Sequence, residues 1–169
     1  GEYTNPADGS PIAALRAADE ALGSSIGWVA GDVHCVFIES DRARFANLEK
    51  VLASIPERTK VIRHSFHGTF VDGINALAKA HPNPFTPPRP LFAFIDPFGV
   101  TGFPFFSVKD LLSRQKCEVL INLDSDGAAR IYGAGDFANH RVLLNETFGD
   151  NQWEAELAGV PRNAIAHRI

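Results

Sequence analysis

Four short runs of apolar, β-prone residues alternate with helix-like segments, and this alternation constrains the fold more than any other feature. The clearest runs are Val33–Glu39, Leu91–Ile95 and residues 118–123, and a weaker one covers residues 60–64. Apolar runs without polar alternation are typical of parallel strands whose two faces are both covered by helices. The pattern predicts an α/β fold, a Rossmann-like, doubly wound, mostly parallel sheet with helices on both faces.

Helix-start signals and helically spaced apolar residues predict the connecting helices. After Gly9, Ser10 is expected to accept a hydrogen bond from an early backbone N–H, and Pro11 fits the first turn. Further helices follow from the same two kinds of signal. One helix is capped by Asp41 or Ser40 and runs to Ile55. Two others cover residues 69–80 and 108–112, and a fourth follows a cap at Ser125-Asp126.

The start of the chain is unusual for such a fold. The chain contains no methionine and begins with Gly1, and no strand precedes the first predicted helix. A cut through a βαβ unit leaves a leading helix of this kind. The 169 residues, 45% of them hydrophobic, are enough for one sizeable core. We therefore expect residues 1–169 to be a single, truncated domain that folds poorly alone, because neighbouring strands would be left unpaired.

Charge and cysteine content narrow the class of protein. The net charge is −4 and the pI is about 5.8, so no overall positive field indicates a nucleic-acid binder. Two cysteines, Cys35 and Cys117, are too few for a disulfide framework and favour a reducing compartment. No apolar run approaches the roughly 20 residues of a membrane-spanning helix. We expect a cytoplasmic protein with no membrane association.

The first candidate site residue is Glu39, at the carboxyl end of the first predicted strand. Ligands of open parallel sheets bind at the carboxyl ends of the strands. A carboxylate there is suited to accept hydrogen bonds from both ribose hydroxyls of a nucleoside cofactor. A helix-capping or solvated acid beside Ser40 and Asp41 is an equally good interpretation, and the sequence leaves both open.

The segment Ile95-Asp96-Pro97-Phe98-Gly99 carries the sharper signal. A buried strand delivers a carboxylate, then a proline that cannot donate to the sheet, an aromatic ring and a flexible glycine. These groups suit a planar base, with an acceptor for its exocyclic amine and a ring to stack on it. Asp96, Pro97 and Phe98 are the catalytic candidates, and Gly99 is a substrate-binding candidate. The alternative is a simple Asp-Pro turn with Phe98 in the core.

Polar residues also end the last predicted strand. Asn122 and Asp126 are candidates for substrate contact, although capping and turn chemistry explain Asp124 and Asp126 equally well.

A metal site is not expected, because no fourth ligand accompanies the possible set of His64, His67 and Cys35. Scattered solvated charges are the preferred interpretation of the basic residues Arg58, Lys60, Arg63 and Arg89. A serine hydrolase is disfavoured, because no Gly-x-Ser-x-Gly motif is present.

Several of these segments, in this order, resemble the three-Cys-motif partner (TcmP) family. The matching stretches are Asp8-Gly9-Ser10-Pro11 with its helix, HCVFIESD, LFAFIDPFGVTGFPF and EVLINLDSDGAAR, which together extend over nearly all of the chain. Members of the family look like class I methyltransferases that depend on S-adenosylmethionine. The resemblance implies that Gly1 is the last glycine of the cofactor loop. It also implies that the first strand and the final strands lie outside residues 1–169.

The resemblance implies roles for the candidate residues. Gly1 would lie near the amino-acid end of S-adenosylmethionine and Glu39 would hold its ribose. The family pattern often has an acid after the third strand, but here Ser65-Phe66-His67-Gly68 stands there, so Phe66 or His67 would contact the adenine. IDPFG also resembles the motif of tRNA guanine dimethyltransferases and, more loosely, the Asp-Pro-Pro-Tyr motif of adenine amino-methyltransferases. A nucleic-acid base amine is therefore the expected methyl acceptor, with residues 1–169 alone inactive.

Two other functions remain open at the level of the sequence. The first is a catalytically inactive, methyltransferase-like partner or recognition module, since the family name implies a companion three-Cys-motif protein. The absence of an acid after the third strand is compatible with lost cofactor binding. An NAD-dependent oxidoreductase shares the sheet and the ribose carboxylate, but it has no use for the Asp-Pro-Phe-Gly segment. The sequence does not indicate an oligomeric state.

Overall fold

The structure of the protein is a computed structural model that describes residues 9–24, 31–97, 99–134 and 137–167. The chain divides into two compact units, Gly1–Pro84 and Phe85–Ile169. Within the described ranges, no helix is long and apolar enough to cross a membrane.

The first unit contains one parallel strand pair with helices against it. Its elements are α1 (Ser10–Gly23), β1 (Val33–Glu39), α2 (Arg42–Ser54), β2 (Val61–His67) and α3 (Phe70–Leu77).

The two faces of this strand pair pack against different helices. The strands pair in parallel, so that Glu39 at the end of β1 lies opposite His67 at the end of β2. Cys35 faces α1 and α2 in a core cluster of buried side chains. On the other face, α3 approaches so closely that a Cβ on Gly73 would lie 2.6 Å from a side-chain carbon of Ile38. The buried residues of the first cluster are Leu15, Ala18, Cys35, Leu48, Leu52 and Val61.

The second unit repeats the arrangement with more helices. Its elements are β3 (Leu91–Ile95), α4 (Phe105–Leu112), β4 (Cys117–Ile121), α5 (Ser125–Gly133), α6 (Phe137–Phe148), α7 (Gln152–Leu157) and a 3₁₀ helix (Arg162–His167).

The core of the second unit is formed largely by its helices. β3 and β4 pair in parallel, with Leu91 opposite Cys117 and Ile95 opposite Ile121. Buried side chains from the helices and the loop after β3 form one cluster. Its members are Val100, Ala128, Leu144, Trp153, Leu157 and Ile165.

One side of the β3–β4 pair differs from the sequence expectation. Both faces of these apolar strands were expected to be covered, but Phe92 is 63% exposed, Phe94 48% and Leu120 54%. These three side chains occupy alternate positions and therefore the same face of the pair, which we call the aromatic face. The expectation is wrong for this face, because apolar composition reports the tendency to be buried and not whether a neighbour covers the strand.

Helix caps show which local predictions the structure confirms. Asp41 caps α2 by accepting from the backbone N–H of Arg44 at 2.8 Å, as expected. Pro11 lies in the first turn of α1, but the prediction for Ser10 is wrong: Gly9 is the N-cap and makes no side-chain capping bond. The last predicted cap is also displaced, because Asp124 caps α5 and Ser125 is the first helical residue.

The strand boundaries agree with the sequence prediction to within a few residues. β1 and β3 have the predicted limits, whereas β2 extends to His67 instead of ending at residue 64. β4 begins at Cys117 and ends at Ile121, two residues before the predicted end. The observed architecture is mixed α/β, with two parallel strand pairs and seven α-helices in the described part of the chain.

Candidate functional site

The carboxyl ends of β3 and β4 carry a bonded pair of polar side chains. The Nδ2 amide of Asn122 donates to Oδ1 of Asp96 at 2.7 Å, although 26 residues separate the two in sequence. Their backbones are fixed as well, since the N–H of Asn122 donates to the carbonyl of Ile95 at 2.9 Å. Both side chains are exposed. The structure thus brings two candidates from the sequence together: the amide of Asn122 orients the carboxylate of Asp96. Both lie at the edge of the strand pair where ligands of parallel sheets bind.

Pro97 and Gly99 are described residues that follow Asp96 after the end of β3. Pro97 is half-buried, and Gly99 has φ +87°, in the left-handed region that favours glycine. A side chain at position 99 would meet no atom within 4 Å, so backbone conformation and not space explains glycine there. The third catalytic candidate, Phe98, lies outside the described residues.

The aspartates after β4 have different surroundings. Asp124 accepts from the N–H of Gly127 at 2.7 Å, and its other oxygen lies 3.6 Å from Arg130. Asp126 is exposed in the first turn of α5, where a negative charge interacts favourably with the helix dipole. The structure therefore gives Asp124 a capping role. Asp126, the substrate-contact candidate, lies exposed beside this cap and takes no part in it.

Sequence reasoning did not anticipate that an apolar surface adjoins Asp96 and Asn122. Asp96 directly follows β3, which carries Phe92 and Phe94, and Asn122 directly follows β4, which carries Leu120. The polar pair thus lies at the end of the two strands that carry the aromatic face. The period-two spacing of Phe92, Phe94 and Asp96 was visible in the sequence, but only the exposure of the rings gives it meaning.

In the first unit, Glu39 ends β1 as expected, and its carboxylate is already engaged. Oε1 accepts from the backbone N–H of Asp41 at 2.7 Å and lies 3.9 Å from the guanidinium of Arg44. The side chain is 28% exposed. One oxygen of Glu39 holds the turn into α2, as the capping interpretation expects. A carboxylate has two oxygens with about four acceptor positions, so acceptors also remain for the ribose interpretation.

Next to Glu39, the carboxyl group of Asp41 has a lowered pKa. The backbone N–H of Arg44 is the main cause that holds the pKa of Asp41 below its ordinary value, with Arg44's charge and His67 as smaller causes. A lowered pKa means that the ionised form is favoured in the folded chain. The small stabilisation is therefore present above pH 4 and is lost as pH falls below the ordinary carboxyl range.

Phe66 and His67, the adenine-contact candidates, lie on opposite faces of β2. The ring of His67 stacks on Phe45 of α2, with centroids 5.1 Å apart. Phe66 faces away from α2 by strand alternation, and a Cβ on Gly68 would lie 2.6 Å from its ring. The structure brings Glu39 and His67 together as paired strand ends, whereas Phe66 is directed elsewhere.

The cysteines and the remaining cofactor candidate add little to this site. Burial raises the pKa of the Cys35 thiol, with Arg63 opposing the shift, and burial also raises that of Cys117. A raised pKa favours the protonated thiol, which is the less nucleophilic form. Among the described residues, no group of three or more His, Cys, Asp or Glu side chains is placed to hold a metal ion. Gly1 lies outside the described residues.

Comparisons of the chain with protein-family models, with curated proteins and with solved structures return no match. The function must therefore be argued from the two strand-end sites themselves.

Proposed function

We propose that this chain is part of a Rossmann-like methyltransferase that uses S-adenosylmethionine to methylate an exocyclic amine of a nucleic-acid base. The observation that carries the proposal is the Asp96 carboxylate, oriented by Asn122 at 2.7 Å at the carboxyl ends of β3 and β4. An exposed, oriented carboxylate at such an edge suits recognition of an amine N–H.

The strand pairs support the fold that this function needs. A doubly wound sheet of order 3-2-1-4-5 contains its second and third strands as one parallel pair and its fourth and fifth as another. Taken separately, the pairs β1–β2 and β3–β4 each have the parallel pairing and the intervening helix that such a pair needs. Their assignment to these positions follows the family resemblance, in which a further strand comes first in the chain.

The first unit offers residues that fit the nucleoside part of the cofactor. Glu39 is a partly exposed carboxylate at a strand end, and its hydrogen bond to Asp41 uses one oxygen only. It would accept from the ribose hydroxyls, while His67 would border the adenine and Gly1 the amino-acid end. When bound, S-adenosylmethionine would supply an electrophilic methyl group: the amine nitrogen would bond to it as the methyl–sulfur bond breaks, S-adenosylhomocysteine would leave as a neutral thioether, and the amine would lose one proton to solvent.

Asp96 would act on the acceptor and not on the cofactor. A hydrogen bond from the amine N–H to the carboxylate fixes the rotation of the amine and therefore the direction of its lone pair. Orientation of this kind supplies much of the rate enhancement, so no strong base is required. Asn122 would be a positioning residue that prevents the carboxylate from rotating, and the exposed rings of Phe92 and Phe94 offer apolar surface beside the base.

Substitutions at the polar pair test the proposal in methyl-transfer assays. Asp96→Ala is expected to lower kcat for methyl transfer about 100-fold or more, because the amine loses its orienting acceptor. The Kd for S-adenosylmethionine, measured by calorimetry, should change less than about threefold, since the carboxylate is directed at the acceptor.

Asn122→Ala separates positioning from folding. It should lower kcat about tenfold and raise KM little, because the carboxylate remains but is no longer held. Asp110→Ala, which removes an exposed acid of α4 that the proposal does not use, is the matched control and should retain activity. Methyl transfer at the wild-type rate by Asp96→Ala would contradict the proposed role.

A second function is favoured by one observation in the first unit. Oε1 of Glu39 accepts from the backbone N–H of Asp41 and the His67 ring stacks on Phe45, so these two of the four cofactor candidates have internal contacts. This suits a methyltransferase-like recognition module without cofactor. Calorimetry separates the two functions: a micromolar Kd for S-adenosylmethionine supports the enzyme, and no heat at millimolar ligand supports the module.

A further inference from the structure

Two histidines on adjacent strands of the first unit contact each other directly. Nδ1 of His34 on β1 lies 2.9 Å from Nε2 of His64 on β2. The ring planes differ by 12° and the ring centroids are 5.1 Å apart. Both side chains are half-buried, and the proposed methyl transfer makes no use of either.

The two distances show how the rings meet. Nearly parallel rings that stacked face to face would keep their atoms at van der Waals separation, about 3.5 Å. A nitrogen–nitrogen distance of 2.9 Å is too short for that arrangement. The rings must therefore meet mostly edge to edge, which makes the contact an N–H···N hydrogen bond across the strand pair.

The pair lies on the α3 side of the strands. Cys35 and Val61 belong to the core cluster against α1 and α2, and alternation directs His34 and His64 to the opposite face. That face also carries Ile38, which packs against Gly73 of α3. The hydrogen bond thus joins β1 to β2 in a largely apolar layer.

Other charged groups around the layer are few in the described part of the chain. On α3 the charged side chain is Asp72, which is exposed and accepts from the hydroxyl of Thr69 at 2.7 Å. Asp32 and Lys60 are exposed just before the two strands. The titratable groups Cys35, Arg63 and His67 belong to the opposite, α1–α2 face by strand alternation.

Proton counting sets a limit on this bond. A neutral pair has one N–H donor and one lone-pair acceptor, and one added proton gives a stronger, charge-assisted bond. A second added proton removes the acceptor and places two positive charges next to each other. We propose that His34 and His64 form an acid-sensitive clamp, which holds β1 to β2 until both rings are protonated and then opens.

The direction of the pH effect follows from proton binding. In the unfolded chain, each histidine takes up a proton near pH 6.5. The closed pair accepts one proton but resists the second, so below about pH 6.5 the open state binds more protons than the closed one. Stability of the strand pair is therefore present at neutral pH and is lost as pH falls.

Hydrogen exchange of the whole chain, followed by mass spectrometry from pH 7.5 to 5.0 and corrected for intrinsic rates, tests the clamp. The opening equilibrium constant of β1 and β2 amides should rise by up to about tenfold per pH unit below 6.5, or about 30-fold by pH 5. Amides of β3 and β4 provide the internal reference.

A matched variant isolates the pair from general acid effects. In His34→Gln the amide oxygen accepts from His64 in either protonation state, so the extra opening of β1 and β2 at pH 5 should disappear. His81→Gln, which removes an exposed histidine of the same unit, should keep the wild-type profile. Identical pH profiles for wild type and His34→Gln would overturn the proposal.

A direct measurement on the wild-type chain does not depend on the variant's folding. In the ¹⁵N spectra of labelled histidines, the second ring of the pair should become protonated only together with loss of β1 and β2 protection. Two doubly protonated rings in a strand pair that keeps its protection at pH 5 would also overturn the clamp.

Discussion

At the scale of single residues, Arg63 shows how one side chain completes a helix. From β2 its guanidinium donates to the carbonyls of Leu52 and Ile55, both at 2.9 Å, and to that of Pro56. These carbonyls lie at and after the end of α2, where helix geometry leaves acceptors without an intrahelical partner. The sequence suggested a solvated charge here, and the structure shows a helix cap supplied by the neighbouring strand.

Removal of this guanidinium is expected to destabilise the chain. Arg63→Met should lower the free energy of unfolding by about 1–3 kcal/mol, because several charge-assisted hydrogen bonds are lost, two of them part-buried. Urea unfolding measures the change. Arg58→Met removes an exposed cation 3.4 Å from Asp19 and should cost less than about 0.5 kcal/mol. Equal effects of the two substitutions would contradict the capping role.

At the scale of elements, the start of α5 depends on two residues together. Asp124 accepts from the N–H of Gly127, and a Cβ on Gly127 would lie 2.2 Å from an oxygen of that carboxylate. The helix therefore requires a short polar residue at the cap and no side chain three positions later. This dependence explains why aspartate and glycine occur together in the Asp-Ser-Asp-Gly segment.

A double-mutant cycle tests this coupling. Asp124→Ala should cost about 1 kcal/mol through loss of the cap, and Gly127→Ala should cost a similar amount because its Cβ displaces the carboxylate. The double variant should cost little more than either single one, since both remove the same bond. Additive losses in thermal or urea unfolding would show that the two residues act independently. Asp124→Asn, which keeps an acceptor, is the matched control.

At the scale of the whole molecule, the aromatic face and the low net charge act together. The exposed Phe92, Phe94 and Leu120 form an apolar surface, and such surfaces promote association. The chain carries a net charge of −4 at pH 7 and has a pI of about 5.8, so charge repulsion vanishes in mildly acidic solution. The isolated chain is therefore expected to self-associate most strongly near pH 5.8.

Sedimentation velocity across the pH range measures this association. Phe92→Thr with Phe94→Thr should reduce it markedly, because threonine keeps the preference for a strand while removing apolar area. Val142→Thr changes an exposed apolar residue of α6 and should leave association unchanged. A wild-type chain that stays monomeric near pH 5.8 at about 100 μM would show that the face does not drive association.

The sequence by itself predicted the four strands, with exact limits for β1 and β3, and the helices up to α5, but not the helices that follow. Apolar runs predicted β1 and β3 at their observed limits, and Asp41 and Thr69 precede the helices that they cap. These features depend on neighbours within a few residues, since propensity and capping are local. Phe98 was proposed from its local segment and Gly1 from the family resemblance, and both lie outside the described residues.

Only the tertiary structure decided which distant side chains meet. The bond between Asp96 and Asn122, the contact between His34 and His64, and the cap from Arg63 all depend on strand pairing and register. Register is set by packing over many residues, and a slip of one residue would turn each side chain to the other face. The sequence therefore identified the candidates Asp96 and Asn122, while parallel pairing in register joined them into one site.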